Sequence, residues 1–129
     1  MNRFFIIAAI SLLTWACSTG KEAARSSATV AKSSQDSAEY EIRVIDPYFD
    51  QWYEINYSPA KDLTNDHYRR NNILAVATWN EYYQNVRYPM VIDSYIDYQP
   101  SIDYGLEVNR KLYWYFVYVR EHYGIRLFR

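Results

Sequence analysis

Aromatic side chains dominate the last ninety residues of this 129-residue chain, since 21 of the residues at 40–129 are Phe, Trp or Tyr. Each aromatic side chain buries a large area, so a short chain fills a core with few of them. The chain has a single cysteine, Cys17, so no disulfide within the chain supplements that core. Ninety residues are enough for one hydrophobic core. We therefore predict one globular domain over residues 40–129.

The first seventeen residues, MNRFFIIAAISLLTWAC, have the order of parts of a secretory signal. Arg3 makes the start positive, Phe4 to Leu13 form an apolar run too short to span a bilayer, and Ala16 directly precedes Cys17. The pattern resembles a bacterial lipoprotein signal, which implies cleavage after residue 16 and lipidation of Cys17 by a diacylglyceryl thioether and an acyl amide. The alternative is an ordinary signal peptide cut at the same bond, which would leave Cys17 as a free thiol.

The composition changes after the cysteine. Residues 18–39 contain six serines, five alanines and no aromatic residue. Such a stretch has little apolar surface to offset the entropy of ordering, so we predict a flexible tether. The predicted organisation is a signal peptide at 1–16, a lipidated cysteine and linker at 17–39, and the aromatic-rich domain at 40–129. After cleavage the chain has 13 Lys and Arg against 15 Asp and Glu, a net charge of −2. This balance argues against a nucleic-acid partner.

Residue patterns within the domain predict an α+β fold with two long helices and two or three short strands. Tyr40 to Ile45 has strand character. Tyr48 to Tyr57 matches neither the strand period nor the helix period well, and it stays undecided between a strand and a short helix. Ser58-Pro59 opens a turn or short helix. Met90 to Tyr98 is predicted to be extended, and Ile125 to Phe128 to be a final strand.

The first long helix is predicted to begin after Thr64 as N-cap and to end near Arg87, before Tyr88-Pro89. Leu63 and Tyr68 have the spacing of a hydrophobic staple. At helical spacing, one apolar face holds Tyr68, Ala75, Val76, Trp79, Tyr83 and Val86.

The second long helix is predicted over Tyr104 to Tyr123, capped by Asp103 and ended by Gly124. Its main apolar face holds Val108, Leu112, Tyr115, Phe116, Val119 and Tyr123. Trp114 and Tyr118, four residues apart, project from the other side among Lys111, Glu121 and His122. This pair is the candidate surface for a ligand or partner, since exposed aromatic rings stack on sugars or dock on proteins. The competing interpretation, which periodic aromatic residues favour, is a helix packed on two sides.

Acidic residues cluster before and within the second helix, at Asp93, Asp97, Asp103 and Glu107. Their spacing matches no calcium-binding loop, and turns and caps account for aspartates in such positions. A hydrolase using Asp97, Asp103 or Glu107 stays open as a functional hypothesis, behind two non-catalytic binding roles.

Signatures of other chemistry are absent from the sequence. His67 and His122 have no partner at metal-ligand spacing, and no nucleophile elbow or phosphate-binding glycine loop is present. We therefore predict no catalytic, cofactor-binding or metal-binding residue, and the pattern favours a protein that is not an enzyme.

Several long strings resemble an uncharacterised family of small lipoproteins from Flavobacteria and other Bacteroidota, a domain of unknown function. They are YEIRVIDPYFDQWYE, WNEYY, YIDYQPSIDYGLEVNRKLYWYF and YGIRL, which cover most of Tyr40 to Leu127. The resemblance implies a bacterial cell-envelope protein held by a lipid and carries over no catalytic residue. Surface-exposed lipoproteins of this group carry clustered acidic residues after the cysteine, whereas only Glu22 appears here. We therefore expect a periplasm-facing anchor in the outer membrane.

Two functional hypotheses follow from these features. The favoured one is a non-catalytic envelope protein whose small domain binds another protein. The alternative is a module that binds a glycan or peptidoglycan through Trp114 and Tyr118. In both cases the membrane is a partner through the lipid on Cys17.

Overall fold

A computed structural model describes residues 28–32 and 40–128 of the chain. The predicted signal peptide, Cys17, and residues 18–27 and 33–39 of the predicted tether lie outside these residues. The elements in chain order are strands β1 (Ala28–Lys32) and β2 (Tyr40–Val44), helix α1 (Phe49–Asn56), a 3₁₀ turn (Pro59–Lys61), and helices α2 (Asn65–Gln84) and α3 (Leu106–Tyr123). The predicted α+β class is confirmed. Among the described residues, no helix has both the length and the apolar composition needed to cross a membrane.

Strand β1 lies inside the stretch that the sequence predicted to be a flexible tether, so the prediction is wrong for these five residues. It pairs antiparallel with β2, with Ala28 opposite Val44. Ala28 is fully buried and Val30 packs against the same core. The apolar burial and the ladder of backbone hydrogen bonds offset the entropy that a Ser- and Ala-rich segment loses on ordering. That gain depends on a partner strand, which local composition does not reveal.

The segment Tyr48 to Tyr57, whose type was undecided between strand and helix, contains helix α1. Phe49, Trp52 and Tyr53 stand at helical spacing and all contact the core, Phe49 being fully buried. The following 3₁₀ turn begins with Pro59, as expected of a proline at a first helical position. Ser58 precedes it but forms no side-chain capping bond.

Helix α2 begins as predicted, because the Thr64 hydroxyl accepts a hydrogen bond from the His67 N–H at 3.2 Å. The predicted staple takes another form: the Leu63 N–H donates to the Tyr68 hydroxyl at 3.0 Å. The helix ends at Gln84, earlier than predicted. Tyr83 and Val86 are exposed, so they do not belong to its buried face.

Three helices pack with α3 at the centre, in contact with α1, α2 and both strands. Helices α2 and α3 run parallel, since Asn65 bonds to Asn109 near their first turns and Trp79 packs on Phe116 farther along. Their buried contact includes Asn72, whose amide donates to the Asn109 carbonyl at 2.8 Å. Buried asparagines on these faces were not predicted, because the apolar spacing marks only hydrophobic positions.

The segment between α2 and α3 is irregular, so the predicted extended segment Met90 to Tyr98 is not a strand. Side chains of α2 take the place of a neighbouring strand. The Asn80 amide donates to the Ile96 carbonyl and accepts from the Ile96 N–H, both at 2.9 Å. The Trp79 indole N–H donates to the Ser94 carbonyl at 2.7 Å. These bonds satisfy the backbone of a buried segment without a sheet.

Helix α3 starts two residues later than predicted, with Gly105 at its N-cap (φ +86°). Asp103 does not cap the helix; its carboxylate accepts from the Gly105 N–H at 3.0 Å. Gly124 ends the helix in the left-handed conformation (φ +70°), as predicted. Ile125 to Phe128 does not form the predicted strand, although Ile125 and Leu127 are buried in the core.

Candidate functional site

Helix α1 packs antiparallel across the second face of α3. Phe49, at the start of α1, contacts Tyr118, with 5.6 Å between ring centroids. Trp52 lies 6.2 Å from Trp114, and Tyr57, just beyond the end of α1, lies 5.8 Å from the same ring. Helix α3 therefore packs on two sides, which confirms the interpretation that periodic aromatic residues favoured.

Tyr118 is fully buried, so the exposed Trp114–Tyr118 pair predicted from the sequence is not present. Its ring lies between Trp52 at 5.3 Å and His122 at 5.0 Å. Burial raises the pKa of the Tyr118 hydroxyl, and the negative charge of Asp46 raises it further. The prediction failed because the segment that covers Tyr118 was not recognised as a helix.

Trp114 is half-buried and lines a cleft of about 370 Å³ between α1 and α3, which we call the α1–α3 cleft. A cleft of this size suits a small ligand or a few residues of a partner. Its lining residues are Trp52, Asn56, Lys61, Leu63, Tyr113, Trp114, Val117, Arg120 and Glu121.

The rim of the α1–α3 cleft carries charges of both signs. Lys61 donates from its ammonium group to the Asn56 carbonyl at 2.8 Å, which ties the 3₁₀ turn to the end of α1. Arg120 and Glu121, on the last turns of α3, form an exposed ion pair with 3.5 Å between nitrogen and oxygen. Since exposed ion pairs are weak, either side chain can leave the pair and bind a group on a ligand instead.

A charged pair beside the cleft fixes the segment between α1 and α2. The Arg110 guanidinium donates to both Asp62 carboxylate oxygens, at 2.9 and 2.6 Å, and the Tyr68 hydroxyl donates to the same carboxylate at 2.7 Å. These hydrogen bonds, led by those from Arg110, lower the pKa of Asp62 to about 2. The Arg110 guanidinium also lies over the Tyr57 ring, 5.3 Å from its centroid. The carboxylate is thus held ionised and fully engaged, in a structural role.

Tyr53, on α1, contacts the rings of Tyr57 and Trp114, with centroids 5.1 and 6.4 Å away. Burial raises the pKa of its hydroxyl to about 12, although the positive charge of Arg110 lowers it in part. A phenol with this pKa stays protonated at neutral pH and does not act as a base.

The four acidic residues singled out in the sequence lie outside the α1–α3 cleft. Asp97 and Glu107 are exposed, and Asp93 is half-buried at a second cleft near the end of α2. Asp103 accepts hydrogen bonds from the Gly105 N–H and the Asn65 amide, and these lower the pKa of its carboxyl group. These local hydrogen bonds therefore give Asp103 a structural role at the start of α3.

The two histidines stand apart on the domain. His67, in the first turn of α2, contacts the Tyr113 ring at 5.9 Å, while His122 stacks on Tyr118. No three His, Cys, Asp or Glu side chains in the part of the chain that the structure describes are grouped so as to hold a metal ion.

The residues of α1 that line the cleft were not predicted from the sequence. Trp52 and Asn56 lie four residues apart on α1 and both line the cleft. A usable signal was present, because Phe49, Trp52 and Tyr53 follow the i, i+3, i+4 pattern of a helix. The contribution of Lys61 and Leu63 had no such signal, since it depends on how the chain turns after α1.

Residues 4–129 match the model of a family of unknown function, DUF6146, and the chain belongs to that family. No curated protein and no solved structure matches.

Proposed function

We propose that this member of DUF6146 is a lipid-anchored protein of the bacterial cell envelope with a non-catalytic binding domain. In this proposal Cys17 carries the lipid, the chain is held at the periplasmic face of the outer membrane of a member of the Bacteroidota, and the domain binds another envelope protein. The signal-like order of residues 1–17 supports the anchor. The α1–α3 cleft supports the binding role.

The observation that carries the binding role is the set of residue types gathered in this cleft. Trp52, Tyr113, Trp114 and Arg120 line it together. Trp, Tyr and Arg are the residues that contribute most to protein–protein binding energy, since each offers a large apolar area with a polar tip. Lys61 and Glu121 at the rim give a partner both signs of charge to complement.

The anchor is tested by the mass of the mature protein purified from membranes. We expect the N-terminal peptide to begin at Cys17 with a diacylglyceryl group and an acyl chain, and a Cys17→Ser variant to be released from the membrane fraction. An unmodified Cys17 thiol at the mature N-terminus would refute the anchor.

The binding role is tested by site-specific photo-crosslinking in intact cells. A crosslinking amino acid at Tyr113 should capture one defined envelope protein, and the same residue at Leu74, exposed on α2 outside the cleft, should not. The captured protein should then bind the purified domain, and a Trp114→Ala variant should bind it at least tenfold more weakly. Equal capture from both positions, or binding that Trp114→Ala leaves unchanged, would contradict the proposal.

A glycan is the second candidate ligand, favoured by the relative arrangement of the two tryptophans. Their rings are tilted by 52° with centroids 6.2 Å apart, and both line the cleft beside the hydrogen-bonding side chains Asn56 and Glu121. Sugar rings bind through such a combination of apolar faces and polar groups. Two of the three tryptophans that follow residue 16 line the cleft, so binding should shift tryptophan fluorescence. Unchanged fluorescence with peptidoglycan fragments and envelope polysaccharides would exclude this ligand class.

A further inference from the structure

The described chain begins at one end of the domain, and most of its exposed apolar side chains lie at that same end. Strand β2 starts beside the first turn of α3, with Tyr40 and Tyr104 rings 4.7 Å apart. It leads to Asp46, whose carboxylate accepts from the Tyr123 hydroxyl at the last turn of α3 at 2.7 Å. Since β1 is antiparallel to β2, Ala28 lies beside Val44, at the same end as Tyr123. We call this the Ala28 end.

The end of α2 also lies at the Ala28 end. The Tyr82 hydroxyl donates to the Arg126 carbonyl at 3.3 Å, just beyond the end of α3. The turn that follows α2 and the turn between β2 and α1 therefore both lie at the end of the domain at which α3 ends. The opposite end of the domain, marked by Leu106 at the start of α3, is about 27 Å away, the length of an 18-residue helix.

Two turns at the Ala28 end carry large apolar side chains that nothing in the described structure covers. Val86 is 72% exposed and Met90 59% exposed in the turn after α2, while Ile45 is 67% exposed in the turn after β2. Tyr48 and Tyr88 are exposed in the same two turns, and Tyr83 is exposed in the last turn of α2. Six of the eleven exposed large hydrophobic residues of the described chain thus stand at one end. Clustered exposure of this kind marks a contact surface.

The backbone of the α2 turn holds this surface in place. The Arg87 N–H bonds to the Tyr82 carbonyl and the Val86 N–H to the Tyr83 carbonyl, the pair of bonds that ends many helices. Val86 adopts φ +52°, a conformation that glycine takes in most such turns. The Arg87 guanidinium lies over the Tyr82 ring at 4.7 Å. An exposed valine therefore occupies a strained position.

We infer that the Ala28 end rests on the lipid bilayer, with the side chains of Ile45, Val86 and Met90 inserted at its surface. This inference rests on the proposed lipidation of Cys17. Eleven peptide steps separate Cys17 from Ala28, which limits the distance between them to about 40 Å. A lipid on Cys17 therefore keeps the Ala28 end within about 40 Å of the membrane, and the apolar turns select the orientation in which they contact it. Tyr and Arg side chains beside apolar ones suit the headgroup region.

Charge alone does not explain this surface, because it carries both signs. Arg87 and Arg126 are exposed at this end, and so are Glu81 and Glu121, with Asp93 half-buried beside Val86. Apolar contact, guided by the anchor, is the interaction that we propose.

A methionine methyl group tests the inference directly. After residue 16, Met90 is the sole methionine of the chain, so a ¹³C-methyl-methionine label gives one NMR signal. The lipidated protein is placed in nanodiscs of phosphatidylethanolamine and phosphatidylglycerol that contain a spin-labelled lipid. We expect the Met90 signal to relax at least tenfold faster than with unlabelled lipid.

The matched control moves the label to the far end of the domain. In a Met90→Leu, Leu106→Met double variant the methyl group lies at the start of α3, and its relaxation should change less than twofold. Replacing Val86 by Gly and Ile45 by Ser should reduce the effect at Met90 several-fold while circular dichroism stays unchanged. Equal relaxation at both ends, or a larger effect at the far end, overturns the inference while the anchor stands. A mature protein without lipid on Cys17 refutes the proposed anchor, and this inference falls with it.

Discussion

Arg110 on α3 and Asp62 before α2 form a two-point ion pair, with nitrogen–oxygen distances of 2.9 and 2.6 Å. The pair joins the central helix to the segment that follows α1. The Arg110 guanidinium also lies over the Tyr57 ring, which packs on Trp114 of the α1–α3 cleft. The Arg110 and Asp62 side chains are largely shielded from solvent, at 16% and 26% exposure. A planar guanidinium that meets a carboxylate in this way fixes orientation as well as distance.

This pair should make stability fall in acid. The pKa of Asp62 is lowered to about 2 in the folded chain, below its ordinary value of 3.8, so the folded state favours the ionised form. The resulting stability is complete above pH 4 and is lost as the pH falls from about 4 to about 2. Urea unfolding between pH 7 and pH 2 measures it.

Two variants isolate the contribution of Asp62. An Arg110→Met variant should lose much of this acid dependence, because the pKa of Asp62 then rises toward its ordinary value. Asp66→Asn, which breaks the exposed Asp66–Arg70 pair, should leave the profile nearly unchanged. The same acid profile in Arg110→Met as in the natural chain would contradict the assignment.

Replacing Asn80 by alanine should detach the segment between α2 and α3. The variant leaves the buried N–H and carbonyl of Ile96 without partners, which should lower the free energy of unfolding by about 2–4 kcal/mol. Asn85→Ala is the control, since the Asn85 amide bonds only within its own exposed turn, to the Glu81 carbonyl. Chemical denaturation measures both, and equal losses would refute the role of Asn80.

Replacing Val86 by glycine should stabilise the protein. Val86 has φ +52°, where a β-branched side chain is strained and glycine is not. We expect a gain of about 1 kcal/mol in the free energy of unfolding. Ala77→Gly, at an exposed position within α2, should instead cost about 1 kcal/mol. A loss of stability in Val86→Gly would show that the valine side chain makes a stabilising contact.

Stability should also fall in alkali, because burial raises the pKa of several tyrosines. The pKa values of Tyr53 and Tyr98 rise to about 12 and that of Tyr118 rises further, so the folded state favours their neutral forms. Stability is therefore complete below pH 10 and decreases above it, as tyrosines ionise first in the unfolded chain. Urea unfolding from pH 8 to 11.5 should show the decrease, and Tyr118→Phe should make it shallower. Phe116→Leu should lower stability equally at every pH.

Removing β1 should destabilise the domain. A chain that starts at Tyr40 leaves β2 without its partner strand and uncovers core that Ala28 and Val30 pack against. We expect the free energy of unfolding to fall by about 2 kcal/mol or more relative to a chain that starts at Ala28. Equal thermal and urea midpoints for the two chains would place the start of the folded domain at Tyr40.

Local signals predicted the long helices well. Thr64 and Gly124 occupy the cap positions that their chemistry indicates, because caps depend on a few neighbouring residues. Features that depend on distant partners were missed. Asn80 has no apolar signal, and its importance comes from Ile96, sixteen residues away. Tyr118 was expected on a surface because the helix that covers it was not recognised.

The amino-acid sequence by itself determined the helix boundaries set by Thr64 and Gly124, the aromatic core, the α+β class and the family. Those features follow from local backbone preferences and from hydrophobic spacing, which neighbouring residues encode. The tertiary structure alone decided that β1 joins the domain, that Tyr118 is buried while Trp114 lines a cleft with Trp52, and that Ala28 and the exposed turns share one end. These three features depend on contacts between segments that are far apart in the chain. Such contacts contribute free energy only after the chain between them has closed into a loop.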